Sequence, residues 1–152
     1  MTFYVLVSFL LLPLEWSLTL DIKILYEDNH LLIVEKPVNM PVQEDQSKDK
    51  DLLTVLKADI KERYNKPGNV YLSIVHRLDR PVGGAIVFAK TSKAASRLSD
   101  QLRRRAIDRT YLAVVRGHVR EKKGRLINHL WKDEAKNIVS VVNEGKKGAK
   151  KA

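Results

Sequence analysis

The tightest constraint on the fold of this chain is a change of character within residues 76 to 91. His76-Arg77-Leu78-Asp79-Arg80 is charged, Pro81-Val82-Gly83-Gly84 is a turn, and Ala85-Ile86-Val87-Phe88-Ala89-Lys90 is an apolar run. So short a run, set off by Pro and Gly, reads as a strand. The carboxylate of Asp79 is therefore held between two arginines at the mouth of a turn. The paired glycines allow another stretch of backbone to approach closely, so added bulk at Gly83 or Gly84 is expected to do harm.

Local signals order the chain on either side. Ile22 to Tyr26 and Leu31 to Lys36 read as strands around the turn Glu27-Asp28-Asn29-His30, a hairpin. Pro37 and Pro41 bracket an extended loop, and the polar stretch from Gln43 to Asp51 reads as exposed. Asp51 or Asp49 can cap a helix to about Tyr64, with Leu52, Leu53, Val55, Leu56 and Ile60 on its inner face. Val70 to Val75 is the next expected strand. After the Ala85 to Lys90 strand, Thr91 or Ser92 caps a second helix with Ala94, Ala95, Leu98 and Leu102 facing inward. Its basic tail, Arg103-Arg104-Arg105, suits either the negative helix end or a phosphate. Arg109 to Gly117 reads as a strand ending in a turn. A short strand near Leu126 to Leu130 and one over Ile138 to Val142 follow, and Asn143 to Ala152 reads as solvated tail.

The length of 152 residues suits one domain with a core. Charge is uneven: residues 1 to 89 hold 10 Lys and Arg against 12 Asp and Glu, whereas residues 90 to 152 hold 18 against 6. A surface that basic fits a polyanion, nucleic acid before membrane. The chain has no cysteine, which excludes disulfides and thiolate chemistry, and His30, His76, His118 and His129 lack the spacing of a zinc motif. No metal is expected. Residues 3 to 14 form an apolar run too short to span a membrane, with no preceding Lys or Arg and no small-residue cleavage pattern. A core-packing or extraneous segment is the reading there, in preference to an export signal.

Taken alone, Asp79 between Arg77 and Arg80 can be a structural ion pair beside a loop. That is the simpler reading, and the other is an acceptor-only anion suited to nucleophilic or electrostatic work. A metal-dependent phosphoesterase built on His76 and Asp79 lacks the further ligands to fill a coordination shell. A membrane-associated fragment anchored by residues 3 to 14 and a basic RNA-binding module without catalysis complete the alternatives.

His76-Arg77-Leu78-Asp79-Arg80, followed by Gly and an apolar strand ending Ala89-Lys90-Thr91, resembles the signature of the RluA family of RNA pseudouridine synthases. Ile24 to Asp28, Val34-Glu35-Lys36-Pro37 and Met40-Pro41-Val42 resemble that family's opening hairpin and loop, and Arg109 to Gly117 resembles its second motif. The resemblance covers about residues 21 to 145. It implies an α+β fold, a mixed, mainly antiparallel sheet with flanking helices, and isomerisation of uridine to pseudouridine in ribosomal or transfer RNA without a cofactor. It implies that Asp79 is the catalytic aspartate and that Arg77 fills the space left by a flipped uridine. Tyr111 would pack on the uracil and help remove the C5 proton, where by itself it reads as an ordinary strand aromatic. His76 and Arg80 join Arg77 as RNA-binding residues, and a cytoplasmic location without DNA or stable membrane partners follows.

Three departures accompany the match. Gly83 stands where the family commonly has Ser. No Lys/Arg-His-Gln-Ile-Arg motif, the family's third, is found, nor is an S4-type RNA-binding domain. Residues 1 to 20 therefore fall outside the match, residues 21 to 145 are expected to be a C-terminally truncated catalytic domain, and residues 146 to 152 a basic tail. Little turnover is expected of such a chain alone.

Overall fold

A computed structural model describes residues 22–118, 120–121, 123–136 and 138–152. The apolar run at 3–14 lies outside the described residues. The chain groups into two compact units that divide between Arg109 and Thr110.

The first unit holds β1 (Ile24–Glu27), β2 (Leu31–Lys36), α1 (Leu52–Arg63), β3 (Ser73–Ile74), β4 (Gly84–Ala89) and α2 (Ser92–Arg103). Its sheet has the order β1-β2-β4-β3 with antiparallel neighbours, and β2 pairs with β4 from Leu31 opposite Ala89 to Lys36 opposite Gly84. Asp28 makes the hairpin turn, its Oδ1 accepting the N–H of His30 at 2.7 Å and of Leu31 at 2.6 Å. Between Ile24 and Tyr26 the β1–β2 register shifts, so Leu25 sits at an irregularity on the edge strand.

Alternation along the strands sends Leu32 and Val34 of β2, and Ile86 and Phe88 of β4, to one interior, where Leu52, Leu56 and Ile60 of α1 meet them. Met40, Val42, Val70 and Leu72 complete this core. Full burial of each such side chain contributes about 1.5–3 kcal/mol. At the start of α1 the Asp51 carboxylate accepts the Thr54 N–H at 3.0 Å, and the N–H groups of Leu52 and Leu53 donate to the carbonyls of Pro41 and Val42 at 2.9 and 3.1 Å. The orphan donors of the helix thus pin the two ends of the loop 43–50 together. Thr91 caps α2 in the same way through the Ala94 N–H, and α2 lies against β3 and β4.

The second unit is a sheet of β5 (His129–Asp133), β6 (Ile138–Val142) and β7 (Lys150–Lys151), ordered β6-β5-β7 and antiparallel throughout. Asp133 Oδ1 accepts the N–H groups of Ala135 and Lys136, both at 3.1 Å, at the β5–β6 turn.

The α+β class, the opening hairpin, both helices with their caps and the 138–142 strand agree with the sequence reading. Four expectations change. Residues 109–117 pair with no strand among the described residues and are exposed, because a β-prone apolar run cannot make a strand without a neighbouring ladder to take its N–H and C=O groups. The strand expected over 70–75 shrinks to Ser73–Ile74. The short strand near 126–130 lies at His129–Asp133. The solvated tail is partly sheet: Gly145 and Gly148, at φ 95° and 83°, let the chain turn back so that Lys150 and Lys151 pair with Leu130 and His129.

Candidate active site

Asp79 is exposed at the start of a turn that closes through the Val82 N–H donating to the Asp79 carbonyl at 3.0 Å. Leu78, just before it, packs partly against the core and gives the turn its footing. The inner support is a cation. Lys36 follows Leu32 and Val34 on the inward face of β2 and is 1% exposed. Its ammonium donates to the carbonyls of Pro37, Arg80 and Val82 at 3.0, 3.1 and 2.7 Å, a full set of partners for three N–H donors. Burial pushes the Lys36 pKa below its usual value, while the negative charge of Asp79 acts the other way.

Neither flanking arginine forms an ion pair with Asp79 among the described residues. Arg77 is exposed. Arg80 turns to the loop 43–50, donating to Ser47 Oγ at 3.0 Å and to the Asp49 carboxylate.

His76 faces β4: its Nε2 accepts the Val87 N–H at 3.3 Å, where a strand carbonyl would have continued the β3 ladder. That bond puts the ring proton of the neutral form on Nδ1, which is buried and without a partner among the described residues. Burial, and then the charge of Arg109, lower the His76 pKa and favour that neutral form. Tyr111 belongs to the second unit, where it is 58% exposed.

The two glycines serve the turn differently. A Cβ on Gly83 would stand 3.1 Å from Val38 Cγ1 and 3.2 Å from the Lys36 carbonyl, whereas Gly84 has φ 130°, a region L side chains rarely adopt. Both observations agree with the expected intolerance of bulk. Lys36 is the residue the sequence reading passed over, although its place two residues beyond Val34 already aimed it inward. Among the described residues no three His, Asp or Glu side chains are placed to hold a metal ion, and no helix is long and apolar enough to cross a membrane.

Comparison with known proteins bears on this geometry. A family described as RNA pseudouridylate synthase matches residues 30–152. The chain is 35% identical over 116 residues to an uncharacterized RNA pseudouridine synthase of Bacillus subtilis, covering 76% of this chain and 37% of that protein. It is 34% identical over 127 residues to ribosomal large subunit pseudouridine synthase C of Escherichia coli, covering 81% of this chain and 38% of that one. The solved structure of human RNA pseudouridylate synthase domain containing 1 superposes with a TM-score of 0.65 at 23% identity, over 88% of this chain and 50% of the other, and shares the fold. The chain therefore spans about two fifths of the length of the curated relatives it matches.

Proposed function

The chain belongs to the RNA pseudouridylate synthase family, and we propose that Asp79 is its catalytic carboxylate for converting uridine to pseudouridine in RNA. In that reaction the N1–C1′ bond breaks, C5 of the freed uracil is joined to C1′, the C5 proton leaves and N1 takes up a proton, so that the product is an isomer of the substrate. The carboxylate must be an anion at a fixed place, open to a nucleotide from outside. The observation that carries the reading is the exposed Asp79 on a turn whose carbonyls are gripped from beneath by Lys36. Arg77, exposed two residues earlier, is the cation that fills the stack when the uridine is flipped out. Tyr111 packs on the uracil and assists departure of the C5 proton. His76, expected among the RNA-binding residues, is turned to β4 and in this reading serves by anchoring, through the Val87 N–H, the segment that leads to Arg77 and Asp79.

The substrate is ribosomal or transfer RNA, and the names of the relatives favour the ribosomal large subunit. The reading puts the protein in the cytoplasm and makes residues 21–145 part of a pseudouridine synthase catalytic domain. The basic character of residues 90 to 152 supplies phosphate contacts. In the intact protein, Asp79→Asn should bind RNA as the wild type does and form no pseudouridine. Normal product formation by that variant would sink the assignment. The same mapping separates the enzyme from a basic RNA-binding module without catalysis, in which the substitution would change nothing.

A further inference from the structure

Arg80 stands beside Asp79, and its guanidinium is already engaged. Besides its bonds to Ser47 Oγ and the Asp49 carboxylate, it has Asp45 Oδ2 at 3.9 Å. All three partners come from the loop 43–50, every residue of which is exposed. Asp45 organises that loop, its Oδ1 accepting the Ser47 hydroxyl at 2.5 Å and the Ser47 N–H at 2.9 Å. Two carboxylates and a hydroxyl around one planar guanidinium present the kind of oxygens that a phosphodiester brings.

The two sides of this contact are held unequally. On the Arg80 side the backbone is fixed, since Lys36 grips the Arg80 carbonyl and the Val82 N–H closes the turn. On the loop side, Pro41, Val42 and the α1 start pin the ends, so the span between them can move without disturbing the core. Side-chain exposures of 42% for Arg80, 44% for Asp45 and 52% for Asp49 leave the ion pairs open to solvent, where such pairs contribute little and exchange readily.

We propose that the loop 43–50 is an internal stand-in for RNA, holding with its carboxylates the place of a backbone phosphate at Arg80, and that bound RNA displaces it. This rests on the RNA reading above and adds regulation to the same site. In the free chain the loop cancels a positive charge next to Asp79 and so discourages stray polyanions. An RNA gains the Arg80 contact only when its phosphate reaches that residue, which couples release of the loop to docking beside the catalytic carboxylate.

The test is RNA binding by the full chain, read by fluorescence anisotropy across a salt series with a labelled uridine-containing single-stranded RNA. Asp45→Asn with Asp49→Asn should tighten binding by about two- to fivefold at low salt. The salt slope should steepen by about 0.7, the value for one added phosphate contact on a single strand. Both changes should vanish when Arg80→Gln is added. An equal gain with and without Arg80 would reveal only a general loss of negative charge and overturn the proposal, as would no gain at all while the wild type binds. Failure of every version to bind RNA would instead bring down the RNA reading and this inference together.

Discussion

Both units of this chain contain antiparallel sheet, yet their apolar side chains meet different fates. In the first, Leu32, Val34, Leu52, Leu56, Ile60, Ile86 and Phe88 are each no more than 1% exposed. In the second no described residue is fully buried, and Leu112 and Val114 are wholly exposed, with Leu126 at 87% and Val141 at 66%. The first sheet has α1 laid over one face; the second has no helix among its described residues. Ladder hydrogen bonds align strands, but a covering layer is what removes apolar surface from water. Asp79 stands on the unit that has such a layer.

Paired side-chain truncations followed by chemical denaturation separate the two units most clearly. Phe88→Ala should cost about 3–5 kcal/mol, as truncation of a fully buried aromatic does, while Val141→Ala stays within about 0.5 kcal/mol. A comparable loss at Val141 would mean that the second unit has an interior after all.

Lys36→Met sharpens the same contrast at the site, because it keeps the buried stem and removes only the N–H donors. Leaving the carbonyls of Pro37, Arg80 and Val82 without their partner should cost about 1–3 kcal/mol and shift the Val82 amide resonance. Unchanged stability and an unmoved resonance would show that the glycines alone shape the turn.

The smallest effect concerns Glu27, which accepts from Lys90 Nζ at 2.6 Å, Arg63 at 2.9 Å and the Tyr64 hydroxyl at 3.1 Å, joining β1, α1 and the residue after β4. Burial alone would raise its pKa, but these donors together hold it below the usual carboxylate value. The stabilisation is therefore complete above the unfolded value near 4.5 and is lost as pH falls through the lower folded value. Glu27→Gln should cost about 1 kcal/mol at neutral pH, in the range of a partly screened hydrogen-bonded charge. The difference from wild type should fade on acidification, and one that ignored pH would remove Glu27 from the account.

What the sequence made legible follows from range. Asp28, Asp51 and Thr91 act on backbone within three residues, and the hairpin and both helices could be read from them. Alternation also held for Val70 and Leu72, buried although not paired. Residues 109–117 carry a contiguous β-prone apolar run and form no ladder among the described residues, since a strand is a property of two segments. At the site, the Asp79 turn and its glycines were readable locally. The partners of Arg80 lie 31 and 33 positions away, and those of Lys36 up to 46, distances at which charge signs alone do not choose a partner.

The shifted register at Leu25 bears on how copies of this protein meet one another. β1 is an outer strand with Ile24, Leu25 and Tyr26 at least 38% exposed, the profile of a template for sheet growth. A second chain docking there would need evenly spaced donors and acceptors, and the irregularity breaks that spacing within the first turn of the pleat. The opposite rim, β3, offers only Ser73 and Ile74. The rims of the first sheet among the described residues are thus short or irregular, and self-association at high concentration should begin on the second, where Val139 and Val141 are unprotected.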